Sequence, residues 1–345
     1  MKKWTVALAA FLLLLSGCSA KETVKQPDQK EKVVDKVEEK KENPYFFPLT
    51  GIGSEAKTDG RAIAVMVNND PKARPQSGLH KADIVYELLA EGDVTRFMAV
   101  FQSEKPDNIG PVRSSRAYYI ELAKGLDTFY VAHGYSEEAR KMLESNYVDN
   151  INGMVYDGTL FKRSSSRKAP HNSYITYENV LKGAAEKKYS LEKSPPSFTF
   201  MSKEESKNIT GSDTKSVMIS YSKNALSNAV YEYDDTLSKY KRFSVGEQTI
   251  DLDSKEPILL DNIFIIETAH QVVDEVAHKK IDLESGGKGY LLQMGKFNEV
   301  EWANKNGRIV PVKNGEEVPF VQGKTWVNVV PTNPGLQASV AFNVK

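Results

Sequence analysis

Gly110-Pro111-Val112-Arg113-Ser114-Ser115-Arg116 places two guanidiniums and two hydroxyls in four successive positions, just ahead of a segment with helical periodicity. The first turn of a helix has N–H groups without intrahelical acceptors and carries the positive end of the helix dipole, so an anion is favoured there. Arg113, Ser114, Ser115 and Arg116 would add charge-assisted hydrogen bonds to a phosphate or carboxylate. The plainer alternative is that a serine caps the helix while the arginines pair with nearby acids. A second cluster runs from Arg163 to Asn172 and contains Arg167, Lys168, a turn at Pro170 and His171. It reads as a solvated basic loop. If it folds over the helix start, Arg167 and His171 become the other wall of an anion pocket, with Arg74 beside them.

Asp83, Glu87 and Glu91 recur at every fourth position. Such spacing puts all three on one face of a strand, and equally on one face of a helix. Paired carboxylates can do general acid–base work. Asp83, Glu87 and Glu91 are expected instead to be partners for Arg74, Arg96 or Arg113. Other chemistry is poorly represented. Ser-x-x-Lys occurs seven times without an accompanying Lys-Thr-Gly or Ser-Asp-Asn, which argues against a penicillin-binding enzyme. Gly323-Lys324-Thr325 lacks the upstream glycine of a phosphate-binding loop and reads as a turn entering a strand. His270 and His278 have no flanking ligands. No metal site, cofactor or catalytic residue is assigned.

The elements that must hold these residues follow from periodicity. Arg61 to Val67 reads as a buried strand, and Asp83–Leu89 with Thr95–Phe101 as a hairpin. Tyr119, Leu122, Ala123 and Leu126 mark a helix behind Ser114 or Ser115 as cap; Ser136 and Thr176 start two more. Beyond Ser194-Pro195-Pro196-Ser197 strand signals dominate, Val318–Val321 among them, and Asn314-Gly315 is the clearest turn. The expected fold class is mixed α/β (α+β): a layered sheet-and-helix sandwich with an N-terminal α/β half, 44–196, and a β-rich C-terminal half, 215–345.

The start of the chain carries a different message. Met1-Lys2-Lys3-Trp4 precedes an apolar run from Thr5 to Leu15, too short for a membrane span and suited to a signal peptide. Leu15-Ser16-Gly17-Cys18 resembles the bacterial lipobox, which would make 1–17 a cleaved leader and Cys18 a lipidated N-terminus. Acyl chains on Cys18 would anchor the protein, two holding where one does not. From Lys21 to Glu42, seven lysines face seven acids with no aromatic, the composition of a disordered tether over 18–43. Over all 345 residues, 46 Lys+Arg balance 46 Asp+Glu, so no nucleic-acid partner is expected. The single Cys excludes an internal disulfide.

Ala73-Arg74-Pro75-Gln76-Ser77-Gly78-Leu79, Ala82-Asp83-Ile84-Val85-Tyr86-Glu87 and Thr95-Arg96-Phe97 resemble the YerB family of lipoproteins from Gram-positive bacteria. So do the Gly110–Arg116 segment, Ala169-Pro170-His171-Asn172, Gly323-Lys324-Thr325-Trp326 and Val329-Val330-Pro331. The resemblance implies an N-terminal and a C-terminal family module in a layered α/β architecture. It supplies no reaction, the family being of unknown function. The leading expectation is an accessory or binding lipoprotein on the outer face of the cell membrane, held by diacylglycerol on Cys18 and engaging a protein or envelope ligand. The alternative is an enzyme acting on a phosphorylated envelope precursor. Arg113 after a strand and turn is similar to the LytR-CpsA-Psr transferases, but their Arg-Asp-Thr residues are missing here.

Overall fold

Strands covered on both faces read as near-continuous apolar runs, and Ile63–Asn68, Ile84–Leu89, Thr95–Phe101 and Thr325–Pro331 are of this kind, broken in the last three by Glu87, Arg96 and Asn328. The computed structural model describes residues 43–344; the leader, Cys18 and the charged tether lie outside them. Among the described residues these strands belong to one twelve-stranded sheet. Its longer strands run in the order Arg308–Lys313, Lys296–Lys305, Gly287–Gln293, Asn262–Thr268, Thr325–Pro331, and onward through Ile84–Leu89, Thr95–Phe101, Ile63–Asn68, Phe129–Ala132, Asn150–Asn152. The join between halves is a parallel pair, Thr325–Pro331 on Ile84–Leu89, with Trp326 opposite Val85 and Asn328 opposite Glu87. The fold is mixed α/β, and its two halves are parts of a single sheet.

Alternation along each strand divides side chains between two cores. Tyr86, Leu88, Met98, Val100, Val327 and Val329 point to one face, which helices Ala117–Gly125 and Glu137–Glu144 close with Tyr119, Leu122, Ala139 and Leu143. Val85, Phe97, Ala99 and Trp326 point to the other. That face is closed by a six-stranded antiparallel sheet carrying Val217, Ile219, Tyr231 and Tyr240, and by Val180 and Ala184 of helix Tyr177–Glu186. Ser136 and Thr176 cap their helices as expected, accepting from Ala139 N–H and Asn179 N–H.

Two local expectations are corrected. The helix after the Arg-Ser-Ser-Arg segment starts at Ala117 with Arg116 in the capping position and no side-chain cap. Ser114 and Ser115 are drawn away: Ser114 Oγ donates to the His133 carbonyl, and Ser115 Oγ lies 2.6 Å from Tyr130 Oη. Val318–Val321 joins no ladder. Its amides instead bond individually, Val318 to the Pro311 carbonyl, Phe320 to the Thr199 carbonyl and Val321 to Asn262 Oδ1. Gly323 does form the turn entering Thr325–Pro331. At φ +136° its Cα lies against the Asp261 carboxylate, which a Cβ would overlap, and that carboxylate accepts from Lys324 N–H at 2.8 Å.

A polar network crosses the second core. Glu87 has no exposed surface. Arg242 Nη2 donates to both its oxygens at 3.0 and 3.2 Å, Trp326 Nε1 at 3.0 Å and Thr95 Oγ1 at 2.9 Å. The Arg242 guanidinium lies 4.8 Å from the Trp326 ring centroid and 5.2 Å from that of Phe97. One charge comes from each half, and neither reaches water. Replacing Arg242 by Met strands the Glu87 carboxylate, at a cost of about 3–5 kcal/mol. In urea denaturation the double variant Glu87→Gln/Arg242→Met should recover more than half of that loss, because it leaves no orphaned charge.

Candidate functional site

Ile63–Asn68, Phe129–Ala132 and Asn150–Asn152 run parallel, so their C-terminal ends share one edge of the sheet. The order of strands reverses here. The chain leaves Ile63–Asn68 toward Ile84–Leu89 and Thr95–Phe101 on one side, then returns through helix Ala117–Gly125 to Phe129–Ala132 on the other. Open α/β sheets place a crevice at such a reversal. Pro111–Ser115 lies across it. Arg113 N–H donates to the Met66 carbonyl, His133 N–H donates to the Arg113 carbonyl, and Ser115 N–H donates to the Gly134 carbonyl. Main-chain bonds on both sides thus fix Arg113 between two strand ends.

Four arginines and three carboxylates, Glu91, Asp157 and Asp70, surround this point, and most of the arginines are matched. Glu91, in the hairpin turn, receives Arg96 Nη2 at 2.6 Å and Arg116 Nη2 at 2.7 Å. Burial would raise its pKa, but Arg96, Arg116 and Arg113 hold it below the usual carboxylate range. Arg163 pairs with Asp157 at 2.9 Å. Arg113 is half-buried and, among the described residues, its guanidinium has no hydrogen-bond or ion-pair partner. Burial and the neighbouring Arg96 push its pKa down, though an arginine remains charged. Arg116 adds a buried Nε–H that finds no acceptor.

Two imidazoles flank this charge. Arg163 Nη2 donates to His133 Nε2 at 3.0 Å, which leaves Nδ1 as the protonated nitrogen, donating to Ser173 Oγ at 2.7 Å. Burial, then Arg163, lowers the His133 pKa. His171 Nδ1 accepts from Asn68 Nδ2 at 3.0 Å and lies 4.0 Å from Asp70. Its pKa is also lowered, mainly by burial. Arg113 depresses both histidines, so at neutral pH they stand as neutral polar walls around one unmatched cation.

The anticipated seven-residue anion pocket is therefore reduced. Arg113 and His171 come together here with Ser114, whose hydroxyl bonds the His133 carbonyl. Ser115 is buried on Tyr130. Arg116 is committed to Glu91 and to the Ser115 carbonyl. Arg167 bonds the Pro75 carbonyl and Tyr174 Oη. Arg74 lies apart, held by Asn69, Ser244 Oγ and the Leu226 carbonyl. Nor do the acids act as a pair. Glu87 belongs to the Arg242 network, while Asp83 accepts from Gln102 N–H, Ser103 N–H at 2.9 Å and Ser103 Oγ. Asn68, Asp70, His133 and Asp157 escaped notice in the sequence. A signal was available in His133-Gly134, directly after the apolar run Phe129-Tyr130-Val131-Ala132. Among the described residues no three His, Cys, Asp or Glu side chains gather closely enough to hold a metal ion.

Two titrations check this geometry. Removing the Arg163 proton donor with Arg163→Ala should raise the His133 pKa, read from its ring protons by NMR. Burial pushes the Asp83 carboxyl up to about 6, despite the bonds from Ser103 and Gln102. A carboxyl with a raised folded pKa stabilises the fold fully below its unfolded value of 3.8, and that contribution is lost as pH rises through about 6. The loss is about 3 kcal/mol. Asp83→Asn has no such proton, so its stability relative to the parent should rise between pH 4 and 6.5 in urea denaturation.

Residues 49–190 match the N-terminal domain, and residues 217–327 the C-terminal domain, of a family described as "Protein of unknown function (DUF3048)". A Bacillus subtilis (strain 168) protein named "Putative lipoprotein YerB" is 44% identical over 335 residues, spanning 96% of this chain and 96% of its own length. The crystal structure of the YerB protein from Bacillus subtilis matches with a TM-score of 0.80 at 44% identity, covering 87% of this chain and 99% of that one. Both domains match in chain order, and the likeness extends through sequence and fold alike: the chain belongs to the DUF3048 family.

Proposed function

We propose that this protein is a lipid-anchored binding or accessory protein of the outer membrane face, which holds an anionic group of an envelope component at Arg113. The observation that carries this reading is the unmatched guanidinium itself. The Arg113 backbone is fixed by main-chain bonds on both sides, at the reversal of strand order, and two imidazoles that are neutral at physiological pH flank the charge. A half-buried cation without an acid partner is poised for a phosphate or carboxylate. Holding suits the site better than turnover. The basic nitrogen of His133 is occupied by Arg163, and its other nitrogen faces a buried serine, so neither is free to take a proton from a substrate.

The anchor rests on Leu15-Ser16-Gly17-Cys18 and on the relative whose name calls it a lipoprotein. Among the described residues no helix is long and apolar enough to cross a membrane. A lipid on Cys18 would tie the folded unit, which begins at Asn43, to the membrane surface.

Thermal shift with polyprenyl phosphates and peptidoglycan precursors tests the ligand. A phosphate-bearing ligand should raise the melting temperature of the parent, and Arg113→Ala should weaken its binding by about 10–100-fold, the worth of charged hydrogen bonds. A shift unchanged in Arg113→Ala would remove the site from this role. Cys18→Ser should move the protein from the detergent phase to the aqueous phase when cells are extracted; retention in detergent would defeat the anchor.

A further inference from the structure

Arg74 and Arg242 line a second cavity, of about 340 Å³, away from the strand-end site. Their side chains come from the turn after Ile63–Asn68 and from strand Lys239–Ser244, so this cavity opens where the two halves meet. Two guanidiniums face one buried carboxylate. Glu87 balances Arg242, while every hydrogen-bond partner of Arg74 is neutral: the Asn69 carbonyl and Oδ1, Ser244 Oγ and the Leu226 carbonyl. Asp70, the next acid within reach of Arg74, is 30% exposed and accepts from Lys72 N–H in the turn. Burial and the proximity of Arg242 bring the Arg74 pKa down to about 10, as expected of two like charges out of water.

A second observation points the same way. Arg242 is 1% exposed, and its Nε–H has no acceptor in the protein. A buried donor left unmade is costly, and it adds to the unmet positive character of the Arg242 side of this cavity. Five of the ten other lining residues are apolar: Pro71, Pro75, Leu226, Val245 and Ile250. Leu226 and Val245 are exposed at its mouth, and Val245 sits at φ +55°, where a β-branched residue is strained. Glu247 stands on the rim and forms no ion pair with either arginine among the described residues.

From the surplus positive charge, the orphaned donor and the apolar walls we infer that this cavity binds a small monocarboxylate with an apolar body. One negative charge matches the one uncompensated guanidinium. Apolar walls select against the strongly hydrated dianion of inorganic phosphate. The lining of this cavity does not include Arg113, Ser114 or His171.

Calorimetric titration of the full-length protein tests this with three probes: cyclohexanecarboxylate, the neutral cyclohexylmethanol, and inorganic phosphate. The carboxylate should bind and the other two should not. Glu247→Gln, which removes the rim acid, should tighten carboxylate binding about threefold. Leu226→Glu places a tethered carboxylate at the mouth and should weaken it by about tenfold or more. Equal binding of the alcohol, stronger binding of phosphate, or carboxylate affinity unmoved by both substitutions would overturn the assignment. If Leu226→Glu fails to fold, Glu247→Gln and the probe series still decide.

Discussion

A carboxylate with no access to water needs its counter-charge inside the protein, and among the described residues Glu87 has only one within bonding distance, Arg242 from the opposite half of the chain. The pair depends on its surroundings. Trp326 donates to Glu87 and stacks on Arg242, and Phe97 covers the guanidinium on another side. Trp326 and Phe97 in turn sit on the strands that flank Ile84–Leu89 on either side in the shared sheet, with centroids 5.1 Å apart. A hydrophobic replacement of the same shape would serve stability about as well. What the ion pair adds is geometric demand, since Arg242 reaches Glu87 only when the six-stranded sheet is seated in one register on the central sheet.

That demand propagates outward. Thr95 and Asn69 are drawn into the same network from the strand-end side, and Asn69 holds Arg74. Asn68, one residue earlier, orients His171 and the turn at Asp70. A continuous path of hydrogen bonds therefore joins the buried pair to the second cavity. A one-residue step along the same strand end leads to the crevice where Arg113 stands. The two candidate sites are built on adjacent asparagines, whose side chains serve opposite faces of one structure.

Much of the framework was legible because it is local. Alternation located the strands around Val65, Val85 and Ala99, and hydroxyls at Ser136 and Thr176 marked helix starts. Asn314-Gly315 adopts left-handed backbone at both positions, with φ of 54° and 83°. What escaped was what distance in sequence conceals. Glu87 finds Arg242 155 positions away and Trp326 239 positions away, and no spacing rule connects them. Among seven anion-site candidates, residue type could not separate Arg113, whose guanidinium bonds to none of the described residues, from Arg74, Arg116 and Arg167, which are each tied to other parts of the protein. Ser114 and Ser115 had the chemistry of a cap, but each found a partner on the neighbouring Phe129–His133 segment, and the cap fell to Arg116.

The parallel seam between Ile84–Leu89 and Thr325–Pro331 has a consequence for how the chain reaches its folded state. Its contacts span most of the polypeptide, which gives the topology a high contact order and a correspondingly slow closure. A ribosome delivers the first half long before Thr325–Pro331. Until Trp326 arrives, Ile84–Leu89 presents an open, apolar sheet edge with an uncovered carboxylate at its middle. Such an edge invites pairing with another chain, and Glu87, an ionised group pointing from an otherwise sticky strand, is the residue that discourages it. The same side chain that holds the finished protein together thus guards the unfinished one.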